Sequence, residues 1–281
     1  MKAEHLNIIS LGMGQESVAL YLMSCKGELP RADYAIFADT GAEKPETYAY
    51  LQWLQDWASQ NDGIPIVTTS GGDLIENILV AKEQKNPFIK IPAHCMDEEE
   101  HKGILKQRCT DDYKTKPINR QIRKLYGLGS KKRTPETSIW LGVTIDELHR
   151  LKQPKLNWQR LVYPFCGVAS TKEGTEYLST SLLYNRLDCI QWLVENKVAI
   201  PIQPACYCCP YQSERHWRHL KLAHPDLWEK AVEIDHYIRE GITEQKAYLH
   251  NSCTPLGARE FILNQTTLFS ERDNGSHLCH T

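Results

Sequence analysis

The alternation of short apolar runs with glycine-bearing turns and helical segments constrains the fold of this chain most. Residues 6–10 (LNIIS) form an apolar run that a glycine-bearing turn ends, and residues 17–23 (SVALYLM) then predict the start of a helix. The same order returns at residues 34–38 (YAIFA), after which Pro45 can open a second helix. Strands that alternate with helices in this way form a mostly parallel sheet with both faces covered.

Two further strands are predicted, from Ile64 to Thr68 and from Ser138 to Val143, and a helix from about Asp73 to Gln84. From about residue 145 onward the pattern favours helix. We therefore expect an α/β fold with an open, mostly parallel five-stranded sheet, helices on both faces and a helical, Cys-rich C-terminal part. The expected division is an α/β domain over 1–150, a helical Cys-containing region packed on it over 151–270, and a flexible tail over 271–281.

Composition excludes several classes of protein. The 281 residues carry a net charge of −2, so the chain lacks the overall positive charge of a simple nucleic-acid coat. No apolar run approaches the roughly 18 residues of a membrane span, and the first residues lack the pattern of a secretory signal. We expect a cytoplasmic protein that makes no contact with a membrane.

The first turn runs from Ser10 to Ser17 (SLGMGQES), directly between a predicted strand and a predicted helix. Glycines at 12 and 14 let the backbone come close to an anion, the helix N-terminus offers N–H groups, and Ser17 adds a hydroxyl. This arrangement predicts a phosphate site. The alternative is a tight turn that needs glycine for its conformation alone. The segment is neither a Walker A motif nor GxGxxG.

A second acidic turn, FADTGAE, ends the second predicted strand. In an open α/β sheet this end lies beside the first turn, so Asp39 and Glu43 would face the same ligand. The alternative is that Asp39 or Thr40 caps the following helix.

A basic segment follows in the middle of the chain. Between Tyr113 and Arg133 there are eight Lys or Arg residues and no Asp or Glu, a local charge of +8. Such a field suits a polyanion, either nucleotide phosphates or a nucleic-acid backbone. The alternative is a solvated helix face.

The cysteines form the last constellation. Ten cysteines among 281 residues are a smaller fraction than the roughly 8–10% of cysteine in a disulfide scaffold. Clustered cysteines therefore suggest a metal site, an iron–sulfur cluster or a catalytic role. Cys206 and Cys209 form a CxxC with Cys208 between them, and Cys109 and Cys189 are the candidates to complete a set of four. Spacing leaves zinc, a 4Fe-4S cluster and a redox pair open, beside ordinary buried thiols.

Taken together, six segments in order resemble the phosphoadenosine phosphosulfate (PAPS) reductase-like branch of the adenine-nucleotide α-hydrolase, or PP-loop, superfamily. They are the turn that ends in Ser17, FADTGAEKPETY (37–48), GILKQRCTDDYKTKPI (103–118), LGVTIDELHR (141–150), NRLDC (185–189) and CYCCPYQSERHW (206–217). The resemblance covers about residues 6 to 240. One departure from the usual SGGxDS turn is Glu16, where that turn has Asp.

The resemblance implies a PP-loop nucleotide-binding domain that binds ATP with Mg²⁺. The phosphates would lie on the first turn, and Asp39 would lie at the nucleotide or its magnesium. The implied nucleotide-site residues are Ser10, Gly12, Gly14, Ser17, Asp39, Thr40, Gly142, Asp146, Glu147 and Arg150.

The resemblance also implies an enzyme that adenylates an acceptor, nucleic acid or nucleotide, in a sulfur-transfer or modification reaction that forms AMP and pyrophosphate. Ser17, Asp39 and Cys208 would be catalytic. A 4Fe-4S cluster, or alternatively zinc, would bind to Cys109, Cys189, Cys206 and Cys209. The acceptor, DNA or tRNA, or its phosphates would contact Lys114, Lys116, Arg120 and Arg123. A sulfur-donor protein such as a cysteine desulfurase would be a partner.

Two other functions remain open at this point. A sulfonucleotide (PAPS or APS) reductase would use thiols to release sulfite and would need no ATP. A non-catalytic, metal-stapled protein would bind a nucleotide or nucleic acid without turnover, and substitution of Ser17 would then leave its function intact.

Overall fold

The computed structural model describes most of the chain. The described residues are 5–80, 90–97, 99, 101–105, 108–129, 131–179, 182–239 and 246–261. The tail predicted for 271–281 lies outside them.

The described residues contain ten strands, which form two sheets. In chain order they are β1 (Leu6–Ser10), β2 (Tyr34–Asp39), β3 (Ile66–Ser70), β4 (Ala93–Met96), β5 (Lys102–Leu105), β6 (Thr137–Trp140), β7 (Gln159–Tyr163), β8 (Val168–Ser170), β9 (Thr175–Tyr177) and β10 (Ala247–Tyr248). The large sheet has the order β3-β2-β1-β6-β7-β8-β9 and the small one the order β10-β4-β5. In the large sheet the first five strands of that order pair in parallel, and β8 and β9 add an antiparallel edge.

In the described part of the chain, seven α-helices accompany the strands. They are α1 (Gln15–Lys26), α2 (Pro45–Gln60), α3 (Leu74–Leu79), α4 (Lys116–Leu125), α5 (Arg186–Glu195), α6 (Glu214–Ala223) and α7 (Pro225–Arg239). None of the helices in the described part of the chain is long and apolar enough to cross a membrane.

Strand periodicity divides the interior of the large sheet into two cores. Successive side chains of a strand point to opposite faces. Ile9 therefore packs with residues of α1, α2 and α5 on one face, whereas the preceding Ile8 packs with Ile118 and Ile122 of α4 on the other. Helices thus cover both faces, and the predicted α/β fold class is confirmed.

The structure differs from the prediction in several strands. The small sheet β10-β4-β5 was not predicted. The sheet has seven strands rather than five, because the β8–β9 hairpin extends it beyond the five parallel strands. Helix was predicted from about residue 145, but strands β7, β8 and β9 occupy residues 159–177. β8 and β9 have only three residues each, too few for a period of two to stand out in the sequence. The strands that complete the large sheet therefore lie after residue 150, in the part of the chain where a helical region was expected.

A third core lies beside the small sheet. Its buried side chains come from α3, α6, α7 and β10 together with four thiols, and Trp217 packs edge-on against Trp228 with ring centroids 6.3 Å apart. We call this third core the cysteine core. Its thiols are those of Cys109, Cys206, Cys208 and Cys209.

Candidate functional site

A cleft opens where the neighbouring strands β1 and β6 end and helix α1 begins. This is the carboxyl edge of the parallel sheet, where open α/β folds bind ligands. We call it the α1 pocket. It is lined by Ser10, Gly12, Gly14, Gln15, Glu16, Ser17, Lys114, Leu141, Gly142, Val143, Arg150, Arg186, Gln203 and Pro204.

The N-terminus of α1 contributes backbone donors to this pocket. Gly14 is the N-cap and no side chain caps the helix. The Ser17 hydroxyl donates to the Gly14 carbonyl at 2.9 Å, and the Val18 N–H donates to the same oxygen at 2.9 Å. The N–H groups of the first turn have no acceptor within the helix, and the helix dipole adds partial positive charge there. A 12-residue helix with this start favours an anion.

Gly142 allows the end of β6 to approach α1 closely. A Cβ at this position would lie 2.8 Å from the Ser17 nitrogen and 2.9 Å from the Glu16 carbonyl carbon. Both are backbone atoms, so a side chain would push the strand end away from the helix start. Gly142 and Ser17, both predicted site residues, can therefore lie this close because residue 142 has no side chain.

A chain of ion pairs forms one wall of the pocket. Arg186 donates through Nε to Glu16 at 2.8 Å and through a terminal nitrogen to Glu147 at 2.9 Å. Glu147, which is buried, accepts in turn from Arg150 at 2.6 Å. Burial opposes the charge on Arg186, but the carboxylates of Glu16 and Glu147 outweigh it and raise the pKa of the guanidinium. Glu16 thus neutralises a cation here.

The residues that line the pocket include more cations than carboxylates. Lys114, Arg150 and Arg186 line it, and Glu16 is its acidic lining residue. Lys114 comes from a π-helical turn, Thr110–Thr115, that precedes α4. Cations from three separate segments and the start of α1 therefore surround one cleft, which suits a polyanionic ligand.

A second, more apolar pocket adjoins the first. It shares Ser10, Leu141, Val143 and Arg150 with the α1 pocket. The other lining residues are Thr110, Asp111, Thr115, Ile118, Asn119, Ile139, Lys152, Gln153, Lys155, Gln159, Leu161 and Tyr163. Burial, with Lys155 and Arg150 adding to it, lowers the pKa of Lys152 at its rim. We call this second cleft the apolar pocket.

Asp39 lies at the end of β2 and lines neither pocket. Its Oδ1 accepts hydrogen bonds from the Tyr48 hydroxyl at 2.8 Å and from the Gly41 N–H at 2.9 Å. Burial and the Asp39 carboxylate both raise the pKa of Tyr48. Asp146, also predicted for the site, is exposed on the 3₁₀ segment Ile145–Arg150 and lines neither pocket.

Glu43 connects the α1 pocket to the cysteine core. Its Oε1 lies 4.0 Å from Lys114 Nζ and 3.7 Å from Cys206 Sγ. Thr40 contacts the same thiol, with 3.3 Å between Oγ1 and Sγ. Thr40, predicted as a nucleotide contact, therefore contacts the Cys206 thiol. Glu43 lies between that thiol and Lys114, which lines the α1 pocket.

Three of the four cysteines predicted as cluster ligands share one core. Cys109, Cys206 and Cys209 belong to the cysteine core, together with the fully buried Cys208. Cys189 instead packs in the core of α1 and α5, where burial, with the charge of Glu16 adding to it, raises the pKa of its thiol. Cys189 therefore lies in a different core from the other three predicted ligands, and its role as a ligand stays a prediction.

The remaining thiols do not form a compact zinc site as they stand. A tetrahedral zinc with Zn–S bonds of about 2.3 Å needs sulfur atoms about 3.8 Å apart. Among the residues that the structure describes, no group of three ligand atoms that includes a cysteine lies within 4.8 Å. A 4Fe-4S cluster or a zinc ion on these cysteines stays a prediction.

The basic residues separate into two kinds. Lys116, Arg120 and Lys124 recur every fourth residue on the exposed side of α4, and Lys116 pairs with Asp112 at 2.5 Å. Arg123 instead donates to the Thr134 hydroxyl at 2.5 Å and to a nearby carbonyl, so it holds the loop after α4. We call the three exposed residues the basic stripe.

Several site residues escaped the sequence analysis. Arg186, Gln203 and Pro204 line the α1 pocket, and Arg186 pairs with Glu16 over a separation of 170 residues. The NRLDC segment contains Arg186, but spacing carries no signal for so distant a partner. The fold alone brings them together.

Comparisons with known proteins show a similarity in structure but none in sequence. No known protein family matches the sequence. No curated protein matches it. Among solved structures, the chain is similar to a crystal structure of phosphoadenylyl-sulfate (PAPS) reductase from Candida auris in complex with phosphate, with 13% sequence identity and a TM-score of 0.40 over 71% of this chain and 75% of that chain.

Proposed function

We propose that this chain is an enzyme that binds ATP with the phosphates in the α1 pocket and uses it to adenylate an acceptor. One observation carries the proposal: the uncapped start of α1 faces the same cleft as Lys114, Arg150 and Arg186. Backbone N–H groups and cations from separate elements are the donors that a polyphosphate needs.

The apolar pocket supports a nucleotide rather than a simple phosphate. Its lining includes Ile118, Ile139 and Leu161, and it shares four residues with the α1 pocket. A ligand with a flat apolar ring system at one end and phosphates at the other can occupy both clefts at once. We infer that the base lies in the apolar pocket.

Asp39 lines neither pocket, but one of its carboxylate oxygens would suit a magnesium ion at the edge of the sheet. Both hydrogen bonds that Asp39 accepts from described residues go to Oδ1, so Oδ2 can take a hard cation. Bound magnesium supplies charge neutralisation on the phosphates. We propose that Asp39 holds it from the end of β2.

The proposed chemistry has two steps. An acceptor oxygen attacks the α-phosphorus of ATP, and the bond to pyrophosphate breaks with its electron pair leaving on pyrophosphate. Lys114, Arg150 and the α1 N–H groups stabilise the charge that moves. A sulfur nucleophile, delivered by a donor protein such as a cysteine desulfurase, then attacks the activated acceptor atom. The bond from that atom to oxygen breaks, and AMP leaves.

The basic stripe supports a nucleic acid, DNA or tRNA, as the acceptor. Lys116, Arg120 and Lys124 are exposed on α4, the helix that follows the turn of Lys114. We expect replacement of all three by Gln to weaken nucleic-acid binding and to reduce the slope of log affinity against log salt by up to about 0.9 for each phosphate that the stripe neutralises. Lys230→Gln on α7 is the control, and equal slopes for the two variants would contradict the role of the stripe.

Product analysis tests the reaction. Purified protein, ATP and mixed tRNA or DNA fragments should release AMP and pyrophosphate in equal amounts, and only when the nucleic acid is present. The Cys206 thiol beside Glu43 favours a sulfonucleotide reductase as the second candidate. Sulfite release from PAPS or adenylyl sulfate without ATP would establish that candidate instead, and binding of ATP with no product would leave a binding protein.

A further inference from the structure

A side-chain cluster outside both pockets joins the start of α2 to the junction of α6 and α7. Glu46 lies in the first turn of α2, His219 lies on α6, and His224 is the C-cap of α6. Nε2 of His224 lies 2.7 Å from Glu46 Oε1, and Nε2 of His219 lies 2.9 Å from the same oxygen.

This cluster differs from the other histidine–carboxylate contacts of the chain. Within the described residues it is the one group of three His, Cys, Asp or Glu ligand atoms that all lie within 4.8 Å of one another. The two imidazole rings are nearly perpendicular, at 80°, and both present Nε2 to the same carboxylate oxygen. Three ligand atoms that converge on one point are the starting geometry of a metal site.

The Glu46 carboxylate offers more than its present contacts use. Oε1 accepts from both histidines, whereas Oε2 is buried and has no hydrogen-bond partner among the described residues. A buried polar atom without a partner costs free energy, on the order of 1–3 kcal/mol, unless a ligand completes the site.

We propose that Glu46, His219 and His224 bind a divalent cation of the zinc type. Imidazole and carboxylate ligands suit zinc, at about 2.0–2.1 Å for nitrogen and about 2.0–2.2 Å for oxygen, which places ligand atoms about 3.3 Å apart in a tetrahedron. The present separations of 2.7 and 2.9 Å need to widen by about half an ångström.

The metal replaces protons in this arrangement. Each Nε2 that now donates to Glu46 must lose its proton to bind a cation, and the proton moves to Nδ1 or to water. Three protein ligands leave a fourth position. Because the His219 side chain is 39% exposed, a water molecule can reach that position.

The site would tie the cysteine core to the large sheet. α2 contributes Leu51 and Leu54 to the core that α1, α2 and α5 form on one face of the large sheet. α6 contributes Trp217 and Leu220 to the cysteine core. A cation held by both helices fixes one region against the other, so we expect it to raise the thermal stability of the full chain.

Zinc binding tests the proposal on the full-length protein. The chain is stripped with a chelator, zinc is added alone, and the bound equivalents are measured by equilibrium dialysis with metal analysis. Wild type should bind one equivalent more than His219→Gln and than His224→Gln, with the affinity of that equivalent reduced by about 100-fold or more in the variants. Its melting temperature should rise with zinc, and the rise should be absent from both variants.

A matched control and a spectroscopic readout separate this site from the cysteines. His101→Gln removes a histidine that contacts Asp97 and Glu99 but belongs to no three-ligand group among the described residues, and it should keep the extra equivalent. Cobalt bound in the site should lack the charge-transfer absorption that thiolate ligands give. Equal zinc binding in wild type, His219→Gln and His224→Gln would overturn the proposal, as would thiolate bands on the cobalt that these variants remove.

Discussion

The α1 pocket and the cysteine core are built from the sequence in different ways. The pocket takes its donors from one continuous strand-turn-helix unit, residues 6–26, to which Lys114, Arg150 and Arg186 are added. The cysteine core takes its residues from segments that span Ala42 to Phe261. The donors at the start of α1 follow from local geometry, whereas the added cations of the pocket and the whole cysteine core come together only when the chain folds.

The two regions also differ in how much of their polar chemistry faces solvent. The α1 pocket presents cations and backbone donors to a cleft. The cysteine core keeps Cys208 fully buried and presents Cys206 to Glu43 and Thr40. We therefore expect changes in the pocket to alter ligand affinity and changes in the core to alter stability.

The largest expected effect is on the cysteine core. Trp217→Ala removes a fully buried side chain that packs against Trp228. Loss of a buried Trp should lower the free energy of unfolding by about 3–5 kcal/mol, measured by urea denaturation. Trp53→Ala, at a position 38% exposed on α2, should cost under about 1 kcal/mol. Equal effects of the two changes would show that the cysteine core is not a packed core.

A change at Gly142 tests the pocket itself. Gly142→Val would place side-chain atoms against the backbone of Glu16 and Ser17 and force the start of α1 away. We expect about 1–3 kcal/mol of strain, seen as a roughly tenfold to 100-fold loss of ATP affinity by calorimetry. The control is Gly129→Ala, where a Cβ meets nothing within 4 Å. Unchanged affinity in Gly142→Val would place the phosphates elsewhere.

Arg186→Gln tests whether a cation of the α1 pocket contributes to ATP affinity. The change removes a pocket cation and leaves the buried Glu147 with Arg150 and Glu16 without its Arg186 partner. We expect ATP affinity to fall roughly tenfold, about 1.4 kcal/mol. Arg160→Gln, which removes an ion pair with Glu176 at the sheet edge, should leave affinity unchanged. An equal effect of both changes would mean that only overall charge matters.

The smallest expected effect is a dependence of stability on pH next to the cysteine core. Burial lowers the pKa of His94, although its hydrogen-bond contact with the Pro210 carbonyl opposes the shift, and burial lowers that of His250, although Glu214 opposes it. The unfolded chain then takes up protons first as the pH falls below 6.5, so the folded state loses stability there.

The slope gives the size of this effect. Each histidine should contribute less than about 1.4 kcal/mol per pH unit below its usual pKa. His94→Gln should flatten the profile of unfolding free energy against pH, and His149→Gln, at an exposed position, should not. A profile that stays steep in His94→Gln would assign the effect to other groups.

Local chemistry explains what could be predicted from the sequence. The strands around residues 6–10 and 34–38, the helix that opens at Pro45 and the β1–α1 turn all follow from periodicity and helix-start rules, and the structure confirms them. The β8–β9 edge was missed because its strands are three residues long.

Long-range contacts explain what could not be predicted. The placement of Cys189 against α1, the pairing of Arg186 with Glu16 and the meeting of Glu46 with His219 and His224 each join segments far apart in the chain. A single sequence carries no spacing signal for such contacts. They depend on how helices α5 and α6 pack on the sheet.

Calorimetric titration with ATP and with adenosine tests whether the α1 pocket binds the phosphates of ATP. If the start of α1 and its three cations hold the phosphates, ATP should bind at least about tenfold more tightly than adenosine, and Gly142→Val should remove that difference. Equal affinity of the wild-type chain for ATP and adenosine, or no binding of either, would contradict the account.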